Sequence, residues 1–239
     1  MSLKKIFFKT KITYKLYLYY NLYIRHKCFI KRNKYSQWGE DLIINKFFQN
    51  KKKGFYLDIG SYHPYTFNNT LLLHKKGWNG INIDINPTSI DLFNIARPRD
   101  VNICSTIDSK GRNFKMYFDG PFSSVNTLNE EFYESAKKRY FKNTKFMSVK
   151  SKTIEEIMQF SKYRNSVDFI NIDVEGSDFD ILKQIDLIKY QVKLLAIETH
   201  NVDGSIVKNF ELISNFLNKN NFTLYKRVGP TSIYQAKIM

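Results

Sequence analysis

Five stretches of this 239-residue chain end in residue types that could do chemistry. "FYLDIGS" closes an apolar run with Asp58, Gly60 and Ser61, "INIDIN" closes another with Asp84 and Ile85, and "ICSTI" closes a third with Thr106 and Ile107. "INIDVEG" ends in Asp173 and Glu175, and "LLAIETH" ends in Glu198 and His200. In open parallel sheets, ligands bind beyond the carboxyl ends of the strands, where the strand order reverses. A dinucleotide loop there needs three spaced glycines so that the backbone can approach a pyrophosphate. Here Gly60 is followed by Ser61, Tyr62, His63 and Pro64, so a pyrophosphate cradle is poorly supported. A ligand with a ribose and a charged amino-acid tail, but no phosphate, needs only one close backbone approach. Asp84 lies 24 residues past Gly60, about where an acid meets ribose hydroxyls. S-adenosylmethionine has those parts.

The remaining acids and the histidine are spaced for work at one rim. Asp173 and Glu175 are two apart, as are Glu198 and His200, so each pair falls on one side of its strand end. Adjacent parallel strands would bring all four together. Carboxylates and an imidazole concentrated in one place are costly unless paired or used. Displacement of a methyl group from a sulfonium needs mainly positioning, but an alcohol acceptor must also lose its proton to a base. His200 is the first candidate, since an imidazole titrates at about 6.5, and His63 is the second. Asp173 would hold the cofactor amine or orient the acceptor. Glu175, before Gly176, could instead cap the following helix. Asp173, Glu198 and His200 could also share a divalent ion, and the sequence assigns no metal.

The elements that must position these residues alternate. From residue 55 onward, strands read at "FYLDIG", "GINIDIN", "DVNICSTI", "VDFINIDV" and "KLLAIETH". Helices read at "NNTLLLHKKG", "PTSIDLFNIA", "TIEEIMQF", "SDFDILKQI" and 206–219. Strict alternation predicts right-handed crossovers and a mostly parallel sheet with helices on both faces. "RNFKMYFD" reads as a short antiparallel excursion, and 120–147 as an insertion over one end of the sheet. That insertion, with Phe122, Ser123, Ser124, Phe132 and Tyr133, is the expected acceptor lid. The closing strands "FTLYKR" and "SIYQAKI" are joined by "VGPT", too short for a crossover, so they must run antiparallel.

Net charge of +16 points to nucleic acid only until it is divided along the chain. Residues 1–53 hold 14 Lys/Arg against two acids, whereas residues 54–239 hold 24 against 20. The body therefore lacks a broad phosphate-tracking field. The basic arm, residues 1–34, carries Phe8, Ile12, Leu16, Tyr19 and Tyr23 on one face of a helix. Its nine-residue apolar part would reach only roughly 13 Å, short of the roughly 30 Å hydrocarbon core. That face fits the arm's own domain, a second copy of the chain, or an anionic membrane surface. Residues 35–239 then form the catalytic domain, with the arm outside it. Cys28 and Cys104 have no metal-type spacing, which with the lack of a secretory cleavage site points to the reducing cytoplasm, with peripheral contact at the inner face of a membrane open.

Several blocks in order resemble one family. "SQWGEDLIINKFF", "GFYLDIGSYHPYTFNNT", "KKGWNGINIDINP", "RPRD", "VDFINIDVEGSDFDIL" and "LLAIETH" are similar to successive blocks of the FkbM-type methyltransferases, from about Ser36 to the end. The resemblance implies a class I, Rossmann-like fold and S-adenosylmethionine-dependent transfer to a hydroxyl oxygen. It implies that Asp58, Gly60 and Ser61 line the methionine side, Asp84 holds the ribose, and Ile85, Thr106 and Ile107 surround the adenine. Gln37 and Glu40 would fold back over the cofactor mouth. It also implies a small hydroxylated acceptor: a sugar, a sugar nucleotide or a surface glycan. Two rivals remain. A nucleic-acid methyltransferase often ends its fourth strand in an Asn/Asp-Pro-Pro-aromatic run that cradles a flipped base, where this chain has "IDVEG". A non-catalytic, membrane-peripheral binding protein of the same fold is the other.

Overall fold

The computed structural model describes residues 10–26, 33–121, 123–140, 144–162, 165–201 and 203–237. Phe8, Cys28 and Phe122 lie outside the described residues. The chain enters through α1 (Lys11–Tyr20, extended by a π turn over Asn21–Arg25) and α2 (Glu40–Phe47). It then alternates through β1 (Phe55–Ile59), α3 (Leu71–Lys75), β2 (Asn79–Asp84), α4 (Pro87–Ala96) and β3 (Val101–Cys104). An excursion follows through β4 (Thr106–Ile107), β5 (Asn113–Phe118), α5 (Glu130–Tyr140), β6 (Lys145–Lys152) and α6 (Ile154–Gln159). The alternation resumes with β7 (Phe169–Ile172), α7 (Asp178–Leu182), β8 (Leu194–Glu198) and α8 (Phe210–Lys219), and ends in β9 (Phe222–Val228) and β10 (Thr231–Ala236).

Seven strands pair in the order β3-β2-β1-β7-β8-β10-β9. β1 is parallel to both β2 and β7, and β10 is antiparallel to both its neighbours, the single reversed strand one place in from the edge. The order reverses between β1 and β7, which opens a crevice at their carboxyl ends. Alternate residues serve opposite faces: Phe55, Leu57 and Ile59 pack with Ile170, Ile172 and Leu195, while Tyr56 packs on the other face with Phe169, Trp78 and Ile44. Local signals set the helix ends. Gly77, at φ 101, stops α3 where an L side chain would be strained. Asn86 caps α4 ahead of Pro87, and Thr153 and Glu156 form a reciprocal capping box on α6.

Two features differ from the sequence expectations. The third strand breaks at Ser105, whose hydroxyl donates toward Lys150 O (2.9 Å), and Thr106–Ile107 leave the main sheet to pair with Ser151–Lys152. β6, which joins β4 and β5 in a three-stranded sheet, is mostly exposed and lysine-rich, so its alternation is faint. The arm packs on its own domain, one of the placements its sequence left open, but through another face. Leu18 and Leu22 bury against Leu92 of α4, on the order of 1.5–3 kcal/mol each. The Tyr14 hydroxyl donates to Asp91 Oδ2 at 2.6 Å. Of the stripe read from the sequence, Ile12, Leu16 and Tyr19 face outward instead, while half-exposed Tyr23 meets Tyr65.

Candidate active site

A cleft of about 230 Å³ opens at the carboxyl ends of β1, β2, β7 and β8, beneath the insertion residues 123–128. Its lining takes in Gln37, Gly60, Asp84, Ile85, Thr106, Asp173, Glu175 and Glu198, together with Ser123 and Ser124 of the expected lid. The strand order arranges them along one line. Thr106 and Ser105 follow β3, Ile85 and Asp84 end β2, Gly60 ends β1, Asp173 and Glu175 follow β7, and Glu198 ends β8.

Gly60 has a reason beyond ligand access. At φ +80, a Cβ on it would lie 1.7 Å from the carbonyl oxygen of Asp173, so only glycine lets the β1 and β7 exits pass this closely. Asp84 is fixed by its own backbone surroundings. Its Oδ2 accepts the Tyr62 N–H and its Oδ1 the Asn86 N–H, both at 2.7 Å. Burial pushes its carboxyl up to about 6 even so. The Asn86 amide donates to Pro121 O at 2.8 Å, which ties the base of the insertion to the same acid.

The other acids stand without counterions. Among the described residues, no hydrogen bond or ion pair reaches the carboxylates of Asp173, Glu175 or Glu198, and no Lys or Arg lines the cleft. Burial, reinforced by Glu198 and then Glu175, holds Asp173 well above the ordinary carboxylate range. Burial, with Asp178 and Glu175 nearby, pushes Glu198 up to about 8, and burial beside Asp178 pushes Glu175 up to about 7. With no cation to offset them, these acids hold on to their protons, and a bound cation would favour their ionised form.

Other sequence-predicted residues lie elsewhere. Asp58 sits one residue inside β1 on the Tyr56 face, not at its tip. There it accepts from the Thr70 hydroxyl (2.8 Å) and the Asn171 amide (2.9 Å), tying β1 to β7 and to the start of α3. The Ser61 hydroxyl turns back to Ile83 O, and Ile107 joins the core. Glu40 accepts the Trp38 N–H (2.9 Å) and shapes the segment that presents Gln37 without lining the cleft. Phe132 and Tyr133 do not line it either, and Tyr133 stacks on Tyr117.

His200 is not brought to the acids. The chain turns after Glu198: the Thr199 and His200 N–H groups both donate to Pro230 O, and His200 bridges Ile206. Its Nδ1 lies 2.8 Å from the Thr199 hydroxyl and its ring packs edge-on against Phe210. Burial, then Arg227, lowers its pKa. The expectation that Glu198 and His200 share the rim fails because the strand's two-residue period ends with the strand. His63 is also spent structurally. Its Nδ1 accepts the Tyr65 and Thr66 N–H groups, so Nε2 carries the proton and donates to Asn21 Oδ1 of the arm at 2.9 Å. Burial drops its pKa to about 3. Among the described residues, no three His, Cys, Asp or Glu side chains group as a metal site requires.

The cleft has walls that sequence reading missed. Tyr62 and Phe67 line it with their rings 6.2 Å apart and nearly parallel. Both have positive φ, 51 and 50, as does Glu175 at 54, so three of the five non-glycine residues of that kind among those described face this one cleft. Such backbone costs of order 1–3 kcal/mol each and collects at working sites. Fully buried Arg97 secures the wall, donating to Pro64 O, Asn68 Oδ1 and the Thr70 hydroxyl at 2.7–2.8 Å. Its only sequence signal is the "RPRD" block. The insertion is clamped to the β7 exit: the Thr127 hydroxyl donates to Glu175 O and the Asn129 amide to Gly176 O.

Residues 58–224, more than two thirds of the chain, match the family model described as the methyltransferase FkbM domain. The chain belongs to the FkbM methyltransferase family. Methyl transfer is the activity that membership supports. No curated protein matches it in sequence. Among solved structures it is similar to one titled "Structure of the 16S rRNA methylase ArmA", at 11% identity and a TM-score of 0.36, covering 99% of this chain and 92% of that one. The matched FkbM span takes in every acid of the cleft. The arm and the Gln37 segment precede it.

Proposed function

We propose that this FkbM methyltransferase takes its methyl group from S-adenosylmethionine and delivers it to a hydroxyl of a small acceptor, a sugar, a sugar nucleotide or a surface glycan. The observation that carries this reading is the row of unneutralised acids at the switch point, with Asp84 at one end and Glu198 at the other. The donor set fits the cofactor. Ile85 and Thr106 offer an adenine slot, and Asp84, fixed by two backbone N–H groups, presents its remaining lone pairs to ribose hydroxyls. Asp173, beside Gly60, would meet the amino-acid ammonium. The bound cofactor supplies a methyl group on positively charged sulfur, ready for in-line displacement.

The base then comes from the carboxylates and not from a histidine. Glu198 ends the strand farthest from Asp84, at the acceptor side of the line, and its pKa of about 8 suits proton abstraction at neutral pH. Glu175, about 7, would orient the hydroxyl from the lid side. Ser123, Ser124 and Asn126 give the cleft a polar roof that can hydrogen-bond a polyol. A lining whose described residues include no Lys or Arg also disfavours a polyanion, and any acceptor phosphate would stay outside the acids. Incubating the protein with methyl-labelled S-adenosylmethionine and a panel of free sugars, sugar nucleotides and RNA tests the reading. Label in a sugar hydroxyl supports it, and label in RNA alone overturns it.

A further inference from the structure

We infer that α1 is a two-faced helix whose outer face docks this protein on an anionic lipid surface. The inner face is occupied: Leu18 and Leu22 are buried on α4, Asn21 holds His63, and Tyr14 holds Asp91. At 100° per residue, Ile12, Leu16 and Tyr19 fall on the opposite side, and Tyr23, stacked on Tyr19, ends the stripe where its ring also meets Tyr65. The four are 75%, 59%, 43% and 43% exposed, and Ile24 beside them is 59% exposed. A helix that has already buried one apolar face has no intramolecular reason to carry a second.

The composition selects the occupant. The first 34 residues hold ten Lys/Arg and no acid, and exposed Lys15 stands beside the stripe. Pairing the stripe with a second copy of itself would bring two such charge sets together, a like-charge repulsion that nothing acidic in the segment offsets. A nucleic acid would satisfy the charge but leave Ile12, Leu16 and Ile24 in water, since aliphatic side chains offer no stacking face. An anionic bilayer satisfies both features: aliphatics enter the acyl boundary, tyrosines sit at headgroup level, and lysines meet the lipid charge. The helix is about 22 Å long over residues 11–25, suited to lying flat, and no described helix is long and apolar enough to cross a membrane.

Docking would have a consequence for the cleft. The inner face holds, through Asn21 and His63, the loop that carries Tyr62 of the cleft wall. The cleft wall then stands about one helix diameter, roughly 10–12 Å, from the headgroups, close to any sugar carried on lipid.

Co-sedimentation of the full chain with vesicles decides it. One set is phosphatidylcholine alone and the other contains a third phosphatidylserine, each at low salt and at about 0.5 M salt, where screening shortens to a few ångströms. The expected result is at least tenfold tighter binding to the anionic vesicles, weakened by salt. Lys15→Glu should lower it by about fivefold or more. The double variant Ile12→Glu/Leu16→Glu should lose at least tenfold in binding while keeping the wild-type melting temperature, because both side chains face out. Equal binding to both vesicles, no binding to either, or full binding by the double variant overturns the proposal. So does a stable dimer that the double variant dissociates, preference for an RNA or DNA oligomer over the vesicles, or a melting temperature that collapses in the double variant.

Discussion

Glu198 and His200 stand two residues apart, yet only one of them can act on a ligand in the cleft. The difference is local: Glu198 is the last residue of β8, while the Pro230 carbonyl collects the N–H groups of Thr199 and His200 and turns the imidazole toward Phe210. Glu198→Gln removes the proposed base and should cut turnover by roughly 10²–10⁴ with little change in cofactor affinity. His200→Ala should leave turnover within a few-fold of wild type. Single-turnover rates for the two variants check this, and a reversal of the order returns the base to His200. At this scale the sequence displayed the acids but hid their directions. Asp58 and Asp84 look alike at strand ends, but β1 continues one residue past Asp58 and turns it into the fold, whereas β2 stops at Asp84.

The elements explain why that row of acids exists at all. β1 and β7 exit so closely that Gly60 has no room for a methyl group, so Gly60→Ala should destabilise the fold by more than about 3 kcal/mol in urea unfolding. A near-neutral result would mean the two exits can part freely. The arm has a matching test. Leu22→Ala, on the docked face of α1, should cost about 2–5 kcal/mol, whereas exposed Leu16→Ala should cost less than about 0.5 kcal/mol. Equal effects would mean that the helix does not dock as described. The parallel sheet, its reversed strand and the helix caps were legible because periodicity, glycine and capping chemistry are local. The side on which α1 docks was not, because a tyrosine-rich helix with two apolar stripes gives no internal sign of which one its own domain covers. β6 escaped for the opposite reason, having little buried surface to mark it.

For the whole molecule, a body near charge balance encloses a cleft of buried, unpaired acids, and pH should expose that arrangement. Glu175 and Glu198 titrate in the folded chain at about 7 and about 8, above the ordinary glutamate value near 4.5. The folded state therefore keeps protons that the unfolded state has already released. Their contribution is full at low pH and is lost as pH rises through 7 and 8. His63, with its pKa lowered to about 3, acts only below about 6.5. The ligand-free protein should therefore melt at progressively lower temperature from pH 6.5 to pH 9, and a flat or rising profile would argue against buried, unpaired acids. A cationic ligand should restore most of the loss at the alkaline end. The most direct test of the account is calorimetric titration of S-adenosylmethionine into the wild type and into Asp84→Ala side by side. The account predicts one site per chain in the wild type and affinity at least tenfold weaker in the variant, the about 1.5–3 kcal/mol of a hydrogen bond to a charged group. Absence of binding to the wild type, or equal affinity in the two proteins, would contradict it.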